Sequence, residues 1–242
     1  MTWPAYWNPK NETLPREQLR ALQLLKLQRT VQHAYAKSPF HRRLYDRAGV
    51  KPEQIRSLDD IRRLPFMTRE DWMACQAEKP LFGDLITRPR EEAIRYHLTS
   101  GTSGRQPLRV LDGRKDWAWI AEMWCYGFWA FGVRPSDTVF FAFSYGSFIG
   151  FWGAHYCCEK IGCLVLPSGN MTTEDRVKQL VEMGATTVCA TPTYALRMAH
   201  LCEGEPEGRT GVHEFGVWPV REKDPPWRAA PGCVPTLAFQ DD

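Results

Sequence analysis

Thr138-Val139-Phe140-Phe141-Ala142-Phe143 decides the fold. This β-branched and aromatic run follows the polar turn Gly132-Val133-Arg134-Pro135-Ser136-Asp137 and reads as a buried strand. The pattern then alternates. Gly150 to Ile161 reads as a helix, and Cys163-Leu164-Val165-Leu166 as a short strand bounded by Gly162 and Pro167. Thr172 and Asp175 stand at capping-box spacing before a helix with Val177, Leu180 and Val181 on one face. Gly184 has the place of a C′ residue closing that helix. Thr187 to Ala190 reads as a strand, and Thr191-Pro192 opens a further helix as N-cap and N1 proline. Short strands alternating with helices predict a parallel sheet covered on both faces.

Upstream the period is helical. Pro15 suits a first turn, and Leu19, Leu22, Leu25, Thr30, Val31 and Ala34 fall on one stripe of a helix over 15–36. A break at Ser38-Pro39-Phe40 leads to a short helix from His41 to Ala48 that ends at Gly49. Leu58, Ile61 and Leu64 mark one more turn before Pro65, and Thr68 to Asp71 form a capping box. Trp117, Ile120, Trp124 and Phe128 form a stripe that reads as a helix packed on the sheet. The fold class expected is α/β: a helical N-terminal lobe followed by an alternating β-α-β-α, mostly parallel sheet. The boundaries expected are 1–90 for the lobe and 91–203 for the sheet region.

Composition excludes several classes. The 242 residues carry 31 Lys+Arg against 28 Asp+Glu, a net charge of +3. That is too little to argue for nucleic acid or a membrane surface as partner. Met1-Thr2-Trp3-Pro4 does not begin a secretory signal. The most apolar window, Trp117 to Val133, contains Glu122 and falls short of the roughly 20 residues a membrane span needs. Eight cysteines without a C-x-x-C pair argue against a zinc site or a disulfide scaffold. Most lie in apolar runs and read as small buried hydrophobes in a reducing cytoplasm. No metal site is expected. Residues 204–242 differ from the rest: they hold 6 Pro and 5 Gly, against 12 and 13 in the preceding 203 residues. Such a stretch buries too little apolar surface to offset chain entropy and is expected to be poorly packed.

The segment richest in chemistry is His97-Leu98-Thr99-Ser100-Gly101-Thr102-Ser103-Gly104-Arg105-Gln106-Pro107. Gly101 and Gly104 allow a tight turn with no Cβ in the way of an anion. Thr99, Ser100, Thr102 and Ser103 add four hydroxyls, successive backbone N–H groups make an anion-binding concavity, and Arg105 supplies a fork of donors for phosphate oxygens. A Walker A loop would need Gly-Lys-Ser/Thr, which is absent here. The same letters also make a Ser/Thr/Gly-rich hairpin turn without chemistry, and the loop alone does not separate the two readings.

Thr99 to Pro107 resembles the signature loop of the adenylate-forming ligase superfamily, and its surroundings resemble the phenylacetate–CoA ligase family within it. Further stretches agree in order: Leu22 to Tyr35, Ser38 to Arg43, Ala48-Gly49-Val50, Ser57 to Thr68, Gly132 to Asp137, Tyr145-Gly146, Gly153 to Gly162, Ser168-Gly169-Asn170 and Thr191 to Tyr194. The resemblance spans about residues 15–203. It implies ATP, Mg²⁺ and coenzyme A as cofactors and an aryl carboxylate as the small-molecule partner. The acid would be converted to an acyl-adenylate and then to an acyl-CoA thioester, as in aromatic acid catabolism; a homodimer is compatible with it. Thr99, Ser100, Gly101, Thr102, Ser103, Gly104 and Arg105 match the family's ATP phosphate loop. The family usually has Lys where Arg105 stands, with Pro directly after; Gln106 intervenes here.

By position Phe143, Tyr145 and Phe148 match the family's acyl-pocket wall, and His155 stands where it would approach the carboxylate. Phe143-Ser144-Tyr145-Gly146 replaces the family's Tyr-Gly-Tyr-Gly. The three aromatics also read as plain core at a strand end, and His155 as a structural histidine on a helix. Family members continue well beyond this length, with an adenine-binding segment, a Tyr-Gly-x-Thr-Glu-like motif, a ribose-binding Asp and a mobile C-terminal domain bearing a catalytic Lys. None of these follows Cys202. The expectation is an incomplete ligase, the N-terminal portion of a gene ended by a frameshift with residues about 204–242 out of frame. The alternative is an inactive nucleotide-binding fragment.

Overall fold

The computed structural model describes residues 2–99, 107–203 and 216–219. The chain divides into two compact units: residues 8–119 with 147–149, and residues 1–7, 120–146 and 150–242.

The first unit is built from α1 (Pro9–Glu12), α2 (Arg16–Lys37), α3 (Pro39–Arg47), 3-10 turns at Pro52–Gln54 and Leu58–Arg63, and α4 (Arg69–Glu78). Ser38 caps α3 by accepting the His41 N–H at 3.3 Å. Thr68 caps α4 reciprocally: its hydroxyl accepts from Asp71 N at 3.1 Å, and Asp71 Oδ2 accepts from Thr68 N at 2.8 Å. Val31, Tyr45, Val50 and Ile55 form the core of this lobe, with Leu27, Ala34, Tyr35, Leu44 and Leu64 packed around it. The packing face of α2 runs through Leu27, Val31 and Ala34, so Leu25, expected on the stripe, is instead 42% exposed.

A buried carboxylate ties this unit together. Gly83, at φ +70°, turns the chain where any Cβ would strike Cys75, and so delivers Asp84 to α3 and α4. Arg43 donates to both Asp84 oxygens at 2.7 and 3.1 Å, and Lys79 Nζ and Cys75 Sγ each donate at 3.1 Å. The Arg43 guanidinium, foremost, holds the Asp84 carboxyl well below the usual carboxylate range.

Two strands that the sequence reading did not anticipate follow a 3-10 turn at Arg90–Glu92. They are β1 (Ala93–Leu98) and β2 (Arg109–Gly113), paired antiparallel from Leu98 opposite Arg109 to Ala93 opposite Gly113. α5 (Arg114–Ala130) begins directly after β2 and runs from the first unit into the second. It buries Trp117, Ala121, Cys125 and Phe128 at helical spacing, while Trp119 stays half exposed with Lys26 Nζ 4.4 Å above its ring.

The second unit holds β3 (Thr138–Phe141), α6 (Ile149–Ile161), β4 (Leu164–Pro167), α7 (Thr173–Glu182), β5 (Thr187–Ala190), α8 (Pro192–Glu203) and β6 (Gly216–Pro219). The sheet order is β4-β3-β5-β6, with β3 parallel to both β4 and β5 and β6 antiparallel to β5. The expected α/β fold with a mostly parallel sheet is therefore present. The alternation of β3 fills two cores. Val139 and Phe141 pack with Cys125, Phe128, Trp129, Ala154 and Ile161. Phe140 and Ala142 pack with Leu166, Leu180, Val188 and Met198. Phe140 and Phe141 are fully buried, each contributing roughly 1.5–3 kcal/mol of apolar transfer.

Local chemistry sets the ends of these elements. Before β3, Asp137 Oδ2 accepts from Arg134 N at 2.6 Å, and Thr186 Oγ1 donates to Asp137 Oδ1 at 2.7 Å. Thr172 caps α7 by accepting from Asp175 N at 3.1 Å. Gly184, at φ +59°, ends α7 as expected, and Ala185 N donates back to Leu180 O at 3.1 Å. Cys75, Cys125, Cys157, Cys158 and Cys189 are buried free thiols, and Cys163 is a half-buried one. Of residues 204–242, Gly216–Pro219 form β6, and the others lie outside the described residues. No helix among the described residues is long and apolar enough to cross a membrane.

Candidate functional site

The phosphate-loop candidate connects β1 to β2. Its neck is closed twice, by Thr99 N donating to Leu108 O at 3.1 Å and by Leu108 N donating to Thr99 Oγ1 at 2.9 Å. The Thr99 hydroxyl therefore serves the hairpin first. Ser100, Gly101, Thr102, Ser103, Gly104 and Arg105 lie outside the described residues. Below the neck, Leu98 N donates to Ser147 O at 3.0 Å. His97 is buried, its ring stacked on Trp117 at 5.2 Å, with Nε2 3.2 Å from Asp112 Oδ2 but outside hydrogen-bonding alignment. Arg95 lies 5.2 Å from the Trp117 ring. The β1–β2 stem is thus braced by Trp117.

The second group lies beyond the C-terminal end of β3, where ligands of open α/β sheets bind. Phe143 is buried, stacked on Phe151 at 3.9 Å and edge-on to Phe141 at 5.5 Å. Tyr145 is half-buried against Phe143 (5.3 Å) and Trp152 (4.7 Å). Its hydroxyl lies 2.9 Å from His155 Nδ1, and His155 Nε2 lies 3.1 Å from Glu159 Oε1. Burial pushes the Tyr145 phenol up. The structure thus brings Phe143, Tyr145 and His155 together. Phe148, 39% exposed, belongs to the other unit.

Glu159, Phe151 and Trp152 were missed by sequence reasoning. The His155/Glu159 spacing of four on a helix was the available signal for the first. Trp152 is set by donating its Nε1 proton to Gly146 O at 2.8 Å, with Gly146 at φ +50° turning the chain back. Ser144 Oγ donates to Gly169 O at 3.1 Å and Arg176 Nη2 to the same oxygen at 2.6 Å, joining the segments after β3 and β4. No group of three or more His, Cys, Asp or Glu among the described residues is placed to hold a metal ion.

The α/β fold agrees with the comparisons to known proteins. No family model matches the chain. A solved 2-hydroxyisobutyryl-CoA ligase, in complex with 2-HIB-AMP and CoA, superposes with a TM-score of 0.78 at 33% identity, over 85% of this chain and 44% of that one. The phenylacetate–coenzyme A ligase of Thermus thermophilus is 39% identical over 193 residues, 80% of this chain and 42% of that protein. The Escherichia coli phenylacetate–coenzyme A ligase is 34% identical over 215 residues, 86% and 47% respectively. The fold is that of the adenylate-forming CoA ligases. In sequence the chain is a relative of the phenylacetate–coenzyme A ligases and corresponds to an N-terminal portion of them. It spans less than half the length of these curated relatives.

Proposed function

We propose that the chain carries the nucleotide-phosphate loop and the acyl wall of an aryl-acid–CoA ligase. In that reaction an aryl carboxylate attacks the α-phosphorus of ATP and releases pyrophosphate. The thiol of coenzyme A then displaces AMP from the acyl-adenylate. Both steps depend on holding charge and geometry, which is the work of preorganised donors. The observation that supports this reading is the similarity to phenylacetate–CoA ligases, 39% identity over 193 residues and 34% over 215.

Thr99 to Arg105 would cradle the triphosphate through backbone N–H groups, hydroxyls and the Arg105 fork. Phe143 and Tyr145 would line the acyl group. A burial-favouring aromatic wall suits a phenyl ring. Mg²⁺ would neutralise phosphate charge. A cytoplasmic role in the breakdown of aromatic acids belongs to the same reading.

A second reading is binding of nucleotide without turnover. ATP–pyrophosphate exchange with phenylacetate, run on the purified chain, separates the two. Exchange above background supports adenylation by this chain. Exchange only when the rest of a ligase is supplied supports the binding portion. No exchange in either case refutes the ligase reading.

A further inference from the structure

Tyr145, His155 and Glu159 form a directed chain of hydrogen bonds that an aromatic wall by itself does not require. Glu159 lies one helical turn beyond His155 on α6, with Oε1 3.1 Å from Nε2. A carboxylate only accepts, so Nε2 carries the ring proton. In the Nε2–H tautomer Nδ1 is bare, 2.9 Å from the Tyr145 hydroxyl, and the phenol donates to it. Tyr145 thereby directs its only proton to His155, which leaves its oxygen lone pairs as the acceptor it can offer a ligand. The ring is held for that purpose by Trp152 at 4.7 Å and Phe143 at 5.3 Å. The Ser144–Gly169 hydrogen bond of 3.1 Å anchors the segment that carries it.

We propose that the Glu159–His155 pair fixes the Tyr145 hydroxyl as a hydrogen-bond acceptor, so that the site selects acids bearing a hydroxyl or similar donor over the plain aryl acid. This rests on the reading of the segment after β3 as the acyl wall and specifies its polarity. His155 and Glu159 are positioning residues: they act through Tyr145. Apolar contact from Phe143 serves either acid equally, so Tyr145 carries the discrimination.

The test has two arms on the full chain. In the first, long-range ¹H–¹⁵N spectra of the histidine side chains report the His155 tautomer. Nε2–H is expected in the wild type, with Glu159→Gln populating Nδ1–H. An Nδ1–H ring in the wild type overturns the proposal. In the second arm, calorimetric titration compares phenylacetate with its 2-, 3- and 4-hydroxy ring isomers. One hydroxylated isomer is expected to bind about 3- to 10-fold more tightly than phenylacetate, the range of one neutral hydrogen bond. That ratio should fall to about 1 in Tyr145→Phe and drop in Glu159→Gln, while phenylacetate affinity changes little. Tightest binding of phenylacetate, or a preference that survives Tyr145→Phe, overturns the selectivity alone. Binding of none of the acids, with an Nε2–H ring, overturns the acyl-wall reading together with the selectivity and leaves the orientation of Tyr145 standing.

Discussion

Asp84→Asn isolates the charge that organises the helical unit. The Asp84 side chain is 8% exposed and accepts from Arg43 twice, at 2.7 and 3.1 Å, and from Lys79 and Cys75 at 3.1 Å. A hydrogen bond to a charged group contributes about 1.5–3 kcal/mol, and bonds converging on one carboxylate do not add. Arg43 and Lys79 are 47% and 61% exposed, so water replaces much of what they lose. Asparagine keeps the volume and one acceptor. The net cost expected is therefore about 2 kcal/mol at neutral pH. Because the folded carboxyl is held below its ordinary value, its contribution is complete above that value, near pH 4, and declines as the pH falls through it. Urea titrations at pH 7 and pH 3, followed by hydrogen exchange at α3 and α4 amides, measure both effects. A variant within about 0.5 kcal/mol of wild type at pH 7, below the range expected for one such bond, refutes the reasoning. So does a deficit that does not shrink in acid.

Two glycines in adjacent helices should respond with opposite sign. A Cβ on Gly153 in α6 would lie 2.9 Å from Trp124 Nε1 and 3.0 Å from its Cε2. Gly153→Ala should cost about 1–2 kcal/mol despite its better helix propensity. Gly127 in α5 has open space around its Cβ position, so Gly127→Ala should stabilise by about 0.5–1 kcal/mol. Thermal unfolding of the pair checks the order, and equal shifts would show that the Trp124 contact does not govern. Thr172→Ala removes the acceptor for Asp175 N and should cost about 1 kcal/mol by urea titration, with exchange rising first in the opening turn of α7.

The sheet was legible because its information is local. Strands of three or four apolar residues between glycines, prolines and caps have few alternatives, and the alternation within β3 divides cleanly between two cores. The β1–β2 hairpin was not legible because its pattern is inverted. Ile94 and Tyr96 face outward at 42% and 43% exposure, while His97 is buried against Trp117 and near Asp112. Hydrophobicity therefore points to the wrong face of β1. The Asp84 cluster was hidden for another reason: Arg43 stands 41 residues away, and only the Gly83 turn brings the two together. In the candidate site, the identities of Tyr145 and His155 were legible from resemblance. Their mutual hydrogen bond was not, since it depends on the turn at Gly146.

The loop between β1 and β2 is the proposed phosphate cradle. Calorimetric titration of the full chain with ATP and Mg²⁺, alongside Arg105→Ala, tests that directly. Saturable binding in the wild type, weakened about tenfold or more when the Arg105 fork is removed, is the result expected from loss of a charge-assisted phosphate contact. No binding at millimolar ATP, or binding that Arg105→Ala leaves unchanged, would contradict it.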